Sequence, residues 1–341
     1  MDIITQGLLG GVLAQTVANQ KEKKLASFIG VFAGLIADAD ILIRSSNDPL
    51  LNIEFHRHFS HSLVFIPIGA MIAMILLWPF VRRQLTPARL YLFCLLGYSL
   101  SGVLDASTSY GTHLFWPFSE ERVAWRLISI IDPVFTLILL ITFILGLRIK
   151  IEKVAYVGLS LSLAYMTLGY LQQQRAVHLA NELINSRNHI AVRHIVKPTI
   201  GNNLLWRSIY IYADRIYVDA VRVSFFSENA VYEGESVARF NVSQSFPNLS
   251  SDSTLYKDIL RFASFSDNYL AFDPSQQNVL GDVRYSMLAN STRPLWGIII
   301  DVTTPQSHAE YQVFRNRDQT VRKTFMNMLL GRCAAVECPS N

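Results

Sequence analysis

Long apolar runs recur through the first half of the chain and stop near residue 171. Those at 62–81, 90–104, 127–147 and 154–171 approach the roughly 20 residues that cross a hydrocarbon core. Two more are interrupted: 25–43 contains Asp38 and Asp40, and the short run 3–18 contains Gln6, Gln15 and Thr16. Stretches such as F-T-L-I-L-L-I-T-F-I-L-G-L are apolar all the way round, which favours membrane helices over the amphipathic helices of a soluble enzyme. Beyond 171 the pattern changes. A polar helical stretch runs to about 188, and 207–226 is rich in β-branched and aromatic residues with partial alternation, predicting one or two strands. Further strands are expected at 269–272, 283–288 and 296–302, and helices at 253–265 and 320–330. The expected fold is an α-helical membrane bundle of about five or six apolar helices, residues 1–171, followed by an α+β extramembrane domain, residues 172–341.

Composition supports this division. The hydrophobic fraction of 51% and mean hydropathy of +0.27 lie between those of a soluble and an all-membrane protein. Residues 1–171 hold 13 Lys/Arg and 11 Asp/Glu, against 17 and 15 in 172–341. The connections 21–24, 82–89 and 148–153 carry nine Lys/Arg; the alternating ones, 44–61 and 105–126, carry only Arg44, Arg57, Arg122 and Arg126. With six crossings, the positive-inside rule puts the basic connections in the cytoplasm. The N-terminus, the 44–61 loop and the C-terminal domain then face outward, a periplasm in a Gram-negative cell. Asp2 stands where the basic region of a cleavable signal would be. Cys94 reads as a packing residue, and Cys333 and Cys338 could form a terminal disulfide on the oxidising side. Basic residues of the second half alternate with acids, so no nucleic-acid partner is expected.

The candidate chemistry lies where charge meets membrane. His56, His58 and His61, three of the eight histidines, precede the 62–81 run in E-F-H-R-H-F-S-H-S. Asp38 and Asp40 end one apolar segment, Asp105 ends another, and Asp132 opens a third. A carboxylate near a membrane centre costs about 2.5–3.5 kcal/mol on insertion scales, so these groups need a compensating proton, partner or metal. On the expected topology they share the outward face with Asp2 and Gln6. Convergent His and Asp groups are ligands for Zn²⁺, with Mn²⁺ or Fe²⁺ as alternatives. Asp38, His56, His61 and Asp105 are the expected ligands, with Asp40 or Asp132 as general base or ligand-orienting group. Asp132, before Pro133, fits a helix cap equally well. His58 stays open: an extended 56–61 pairs it with His56, a helical one with His61.

Those motifs resemble the YdjM-like family of inner-membrane metal-dependent hydrolases. D-A-D after an apolar helix, H-R-x-F-S-H-S, D-x-x-T-x-Y-G-T-x-L-x-W-P-F and the opening M-D-I-I-T-Q-G-L-L-G carry the likeness, joined more loosely by L-R-F-A-S-F-S and G-D-V-R-Y. The resemblance implies a bacterial inner (cytoplasmic) membrane location and metal-site roles for Asp38, Asp40, His56, His61 and Asp105, with Thr108 and Gly111 shaping the loop. Many members have T-H near the start where this chain has Thr5-Gln6, and His58 occupies a place commonly filled by glycine. His58 is thereby a possible replacement ligand. A more distant likeness to zinc-dependent phospholipase C and nuclease folds favours phosphoester substrates. The leading expectation is a hydrolase acting at the outer interface on a phosphoester or lipid-linked substrate, with the lipid bilayer as its surroundings. The alternative is a non-enzymatic membrane protein with a structural or ligand-binding polar cluster. A transporter fits poorly, since the polar groups collect at one face and mark no path across. The chain also lacks H-E-x-x-H, a P-loop and a dinucleotide fingerprint.

Overall fold

The computed structural model describes residues 1–149, 151, 153–225, 227–315 and 318–332; Cys333 and Cys338 lie outside these. The chain divides into two compact units. Unit 1 comprises Met1–Ile43, Phe55–Leu171 and Ile200–Asn202; unit 2 comprises Arg44–Glu54, Gln172–Thr199 and the chain from Asn203 onward.

The helices of the first half are α1 Ile3–Gln15, α2 Lys23–Ile36, the short α3 Leu51–Phe55, α4 Ile66–Val81, α5 Pro87–Ser99, α6 Ser101–Ala106, α7 Pro133–Arg148 and α8 Val154–Ser186. Tight 3₁₀ turns occupy Ala37–Leu42 and Phe59–His61. Many of the ends follow from local chemistry. Asp2, Thr86 and Asp132 each accept a backbone N–H of the first turn of α1, α5 and α7, and proline follows Thr86 and Asp132 directly. Asp132 is therefore a helix cap, and the expected run 127–147 begins as a helix only at Pro133.

Among the described residues three helical segments are long and apolar enough to cross a membrane: Lys23–Leu42, Pro87–Ala106 and Val154–Ser186. A fourth is possible if Leu51–His61 and Ile66–Val81, bent by 95°, count as one span. Ile3–Gln15 and Pro133–Arg148 are apolar but shorter. At 1.5 Å per residue they reach about 20 and 24 Å, short of a hydrocarbon core of about 30 Å. Five or six full crossings are thus not established.

Small residues bring the helices of unit 1 together. A Cβ on Gly10 would collide with the Gly30 carbonyl oxygen and lie 2.8 Å from that of Gly97, so α1, α2 and α5 meet backbone to backbone. In lipid, where apolar contact with a neighbouring helix brings no gain over contact with acyl chains, such close approach supplies the packing. Ala26, Ile29, Ala33, Ala70, Ala73 and Phe93 fill the buried seam. Ile68, Ile75, Phe80, Leu137 and Leu163 are exposed, as lipid-facing residues should be.

Unit 2 contains two antiparallel sheets. The first orders β1 Arg193–Pro198, β2 Leu205–Tyr212, β3 Arg215–Arg222 and β4 Ala230–Tyr232, with β5 Ser236–Ala238 also on β3. Ala213 and Asp214 take left-handed φ of 46° and 55°, giving the two-residue hairpin that joins β2 to β3. The expected 207–226 stretch is thus two strands. The second sheet orders β6 Leu270–Asp273, β7 Gln276–Asp282, β8 Trp296–Ile299 and β9 Glu310–Val313. A short α9, Val242–Ser245, precedes α10 Thr254–Phe265, and α11 Gln319–Leu330 follows β9. Leu255, Ile259 and Phe262 of α10 pack on Leu270, Leu280 and Ile298, together with Leu50. Arg261 binds Asp48 and Glu54, holding the 44–54 excursion in this unit. The α+β expectation matches these sheets, with one correction: 283–288 is not a strand. It follows β7, where Arg284 turns back to bind Asp282 and the Tyr285 N–H bonds the Asp282 carbonyl.

Candidate metal centre

The break at the end of α2 positions the first acids. Ala37–Leu42 winds as a 3₁₀ turn, which puts Asp38 and Asp40 beside the second turn, Phe59–His61. Asp105 comes from α6, one helix after a break at Leu100. Gly102 permits this approach, because a Cβ there would run into the His61 carbonyl oxygen. Asp38, His61 and Asp105 thereby place a ligand atom each within 4.8 Å of one another.

The atoms of this group are unevenly satisfied. His61 Nε2 lies 3.0 Å from Asp105 Oδ2 and 3.3 Å from Asp38 Oδ1, yet His61 Nε2 and Asp38 Oδ1 are buried without a hydrogen bond. On the other side of the ring, His61 Nδ1 lies 3.0 Å from Ser60 Oγ and 3.3 Å from Asp40 Oδ2. Ser60 Oγ donates its own proton to Asp40 Oδ2 at 2.6 Å, so it can accept one from Nδ1. With the imidazole proton on Nδ1, the Nε2 lone pair would face two carboxylates. Such an arrangement fits a cation between them. A carboxylate behind the far nitrogen is also the usual support of a metal-binding histidine.

Asp40 holds the surrounding loop. It accepts the Arg57 backbone N–H at 2.8 Å, and its Oδ1 lies 2.9 Å from His56 Nδ1. His56 therefore joins Asp40 and is not among the three convergent ligands. Asp132 is elsewhere in unit 1, accepting the Phe135 N–H and the Tyr165 hydroxyl.

His58 goes to neither of its sequence neighbours. Arg57 has a left-handed φ of 61°, so 56–61 is neither one extended run nor one continuous helix, although Phe59–His61 is a 3₁₀ turn. His58 turns toward His113, with ring centroids 4.5 Å apart, and its Nε2 lies 3.7 Å from Glu120 Oε2. Burial, with the Arg122 and His58 charges, pushes the His113 imidazole down to about 3, so it is neutral at ordinary pH. Thr108 and Gly111 do shape the intervening loop. Thr108 Oγ1 donates to the Asp105 carbonyl at 2.8 Å, and Gly111 takes a φ of 77° where a Cβ would lie 2.6 Å from the Val123 carbonyl oxygen.

Sequence reading missed Arg57 as a member of the site. Its Nε lies 3.2 Å from Asp105 Oδ2, its Nη2 donates to the Met1 carbonyl at 2.9 Å, and its guanidinium carbon stands 5.0 Å over the Tyr110 ring. Nη1 is buried and makes no hydrogen bond. Gln6 donates to Asp105 Oδ2 at 3.0 Å, and the Met1 amine also contacts Asp105. The signal for Arg57 lay in its place between two histidines, but nothing in the pattern indicated which way its side chain turns.

Comparison with known proteins places this group in context. The uncharacterized protein YfhP of Bacillus subtilis (strain 168) is 28% identical over 223 residues, 62% of this chain and 64% of that protein. Inner membrane protein YbcI of Escherichia coli (strain K12) is 29% identical over 107 residues, 30% of this chain and 61% of that protein. The chain thus spans less than two thirds of the length of either relative. No solved structure matches it. The model of the YdjM inner membrane protein family matches residues 1–176, a stretch that contains Asp38, His61, Asp105 and Arg57, and the chain belongs to that family.

Proposed function

We propose that this membrane protein is a metal-dependent hydrolase whose ion is held by Asp38, His61 and Asp105, at the outer membrane interface, with a phosphoester or lipid-linked substrate. The observation that carries the reading is the pair of buried, unbonded ligand atoms, His61 Nε2 and Asp38 Oδ1, facing each other at 3.3 Å beside Asp105. A carboxylate, a carboxylate and an imidazole suit Zn²⁺, and also Mn²⁺ or Fe²⁺. Bound there, such an ion would lower the pKa of water and polarise an ester. The chain supplies the rest. Asp40 and Ser60 orient His61 through Nδ1. Arg57 Nη1, buried and unbonded, offers a guanidinium N–H to an anionic oxygen, which favours a phosphoester over a neutral ester. In this reading unit 2 faces the periplasm, by the charge asymmetry of the connections.

A second reading has its own support. Gln6, Arg57 and the Met1 amine all face Asp105, so the chain already compensates part of the acidic charge without an ion. The group would then be structural. Metal content of purified protein separates the two, with His61→Ala and Asp38→Asn beside wild type. The hydrolase reading expects one fewer bound divalent ion in each variant, and loss of hydrolysis of a chromogenic phosphodiester or a phospholipid in mixed micelles. Unchanged metal content in both variants rejects the site; metal loss without any hydrolysis in wild type leaves the non-enzymatic reading.

A further inference from the structure

We propose that His58, His113 and Glu120 form a second divalent-cation site, separate in its ligands from the Asp38, His61 and Asp105 group. One nitrogen or oxygen from each of the three residues lies within 4.8 Å of the others. A tetrahedral ion with bonds of about 2.0–2.2 Å spaces its ligands about 3.3–3.6 Å apart. The 3.7 Å between His58 Nε2 and Glu120 Oε2 is close to that spacing.

The backbone builds this arrangement deliberately. The His113 N–H and the Thr112 hydroxyl both donate to the Arg57 carbonyl, at 3.2 and 2.8 Å, which ties residue 113 to the stretch carrying His58. The Leu63 N–H bonds the Leu114 carbonyl at 3.0 Å, so the two stretches run side by side. Thr112 and Val123 exchange backbone hydrogen bonds of 3.0 and 2.8 Å, and this closes the loop that presents Glu120. His113 Nδ1 is buried and makes no hydrogen bond. Aromatic rings of Phe55, Phe59 and Trp116 lie 5.7, 6.3 and 5.8 Å from the His58 ring. The Glu120 side chain is 76% exposed, giving an ion an entry path from solvent.

A borderline cation such as Zn²⁺ matches two imidazoles and one carboxylate, with a position left for water. Such an ion would clamp the 56–61 and 111–120 stretches together, the first of which carries His61. The two imidazoles occupy the open positions of H-R-x-F-S-H-S and G-T-x-L-x-W-P-F.

The test is cation titration of the full chain in detergent after chelator stripping, with Zn²⁺ counted by competition with a chromophoric chelator and Co²⁺ by its visible ligand-field bands. His113→Ala should bind one ion fewer than wild type. Glu120→Gln, a change at an exposed side chain that leaves packing alone, should weaken one ion roughly 10-fold or more. The loss should add to that in His61→Ala, so the double variant His61→Ala/His113→Ala loses both ions. Wild-type stoichiometry and affinity in both His113→Ala and Glu120→Gln overturns the proposal. Loss of one ion in His113→Ala with wild-type metal content in His61→Ala supports this site while rejecting the inner one, so the two fail separately.

Discussion

His61 Nδ1 faces Asp40 Oδ2 at 3.3 Å, while the opposite nitrogen of the same ring faces Asp38 and Asp105. Asp40 thus acts on the group through the imidazole and the loop backbone. Asp40→Asn should keep the number of ions bound but weaken the inner ion by roughly 10–100-fold, the usual cost of losing such an orienting partner. Chelator competition on wild type and variant measures this. Equal affinity would show that Asp40 only holds the loop.

The contact between Gly102 and the His61 carbonyl predicts a steric effect. Gly102→Ala forces a methyl into that carbonyl, so α6 or the His61 turn must move. The overpacking should cost about 1–3 kcal/mol. It should also displace Asp105 from His61. Thermal unfolding in detergent reads the first effect and metal content the second, and both are expected to fall together.

Arg57 offers a way to test substrate charge. Arg57→Lys retains the positive charge but loses the planar fork that addresses Asp105, the Met1 carbonyl and an incoming anion at once. KM for a phosphodiester should rise about 10-fold, with a smaller change for a neutral carboxylic ester. Equal effects on both substrates would remove the argument for a phosphoester.

Unit 2 contains a pH-sensitive residue far from this chemistry in sequence. His194, on β1, has its Nε2 3.0 Å from Ser208 Oγ, and burial pushes its imidazole down to about 4, against the raising influence of Asp219. The folded state resists the proton that the unfolded state accepts near pH 6.5. Stability from this group is therefore complete above about pH 6.5 and is lost as pH falls toward 4, by up to about 3 kcal/mol. Denaturant unfolding of unit 2 in the full chain, followed by tryptophan fluorescence from pH 7 to 4, should show this loss in wild type and a smaller one in His194→Gln.

Much of the inner group is legible in the sequence. Asp38, His61 and Asp105 stood out because a charge inside an apolar run is costly, and alternation of basic connections assigned all three to one face. The fate of His58 was not legible. It turns on the left-handed φ of 61° at Arg57, a conformation that side chains other than glycine rarely adopt and that no residue pattern announces. The start of α7 was not legible either. Hydropathy registers 127–132 as part of an apolar run, but Asp132 and Pro133 begin a new helix within it. In unit 2, the β2–β3 hairpin announced itself by long aromatic and β-branched strands. The three-residue strands β4 and β5 are too short to produce periodicity. Segment 44–54 carried no sign of belonging to unit 2, because its anchor, Arg261, lies more than two hundred residues later.

The break of α2 into a 3₁₀ turn and the placement of Asp105 on α6 have a consequence for biosynthesis. Asp38, Asp40, Arg57, Ser60, His61 and Asp105 all precede residue 106, and so does Gln6. Once α6 has left the ribosome and entered the membrane, the whole inner donor set has been translated. At about 5–20 residues per second, the rest of the chain needs roughly another 10–50 s. The order of translation thus allows the donor set to assemble, and to take up an ion, before the sheets of unit 2 have been made.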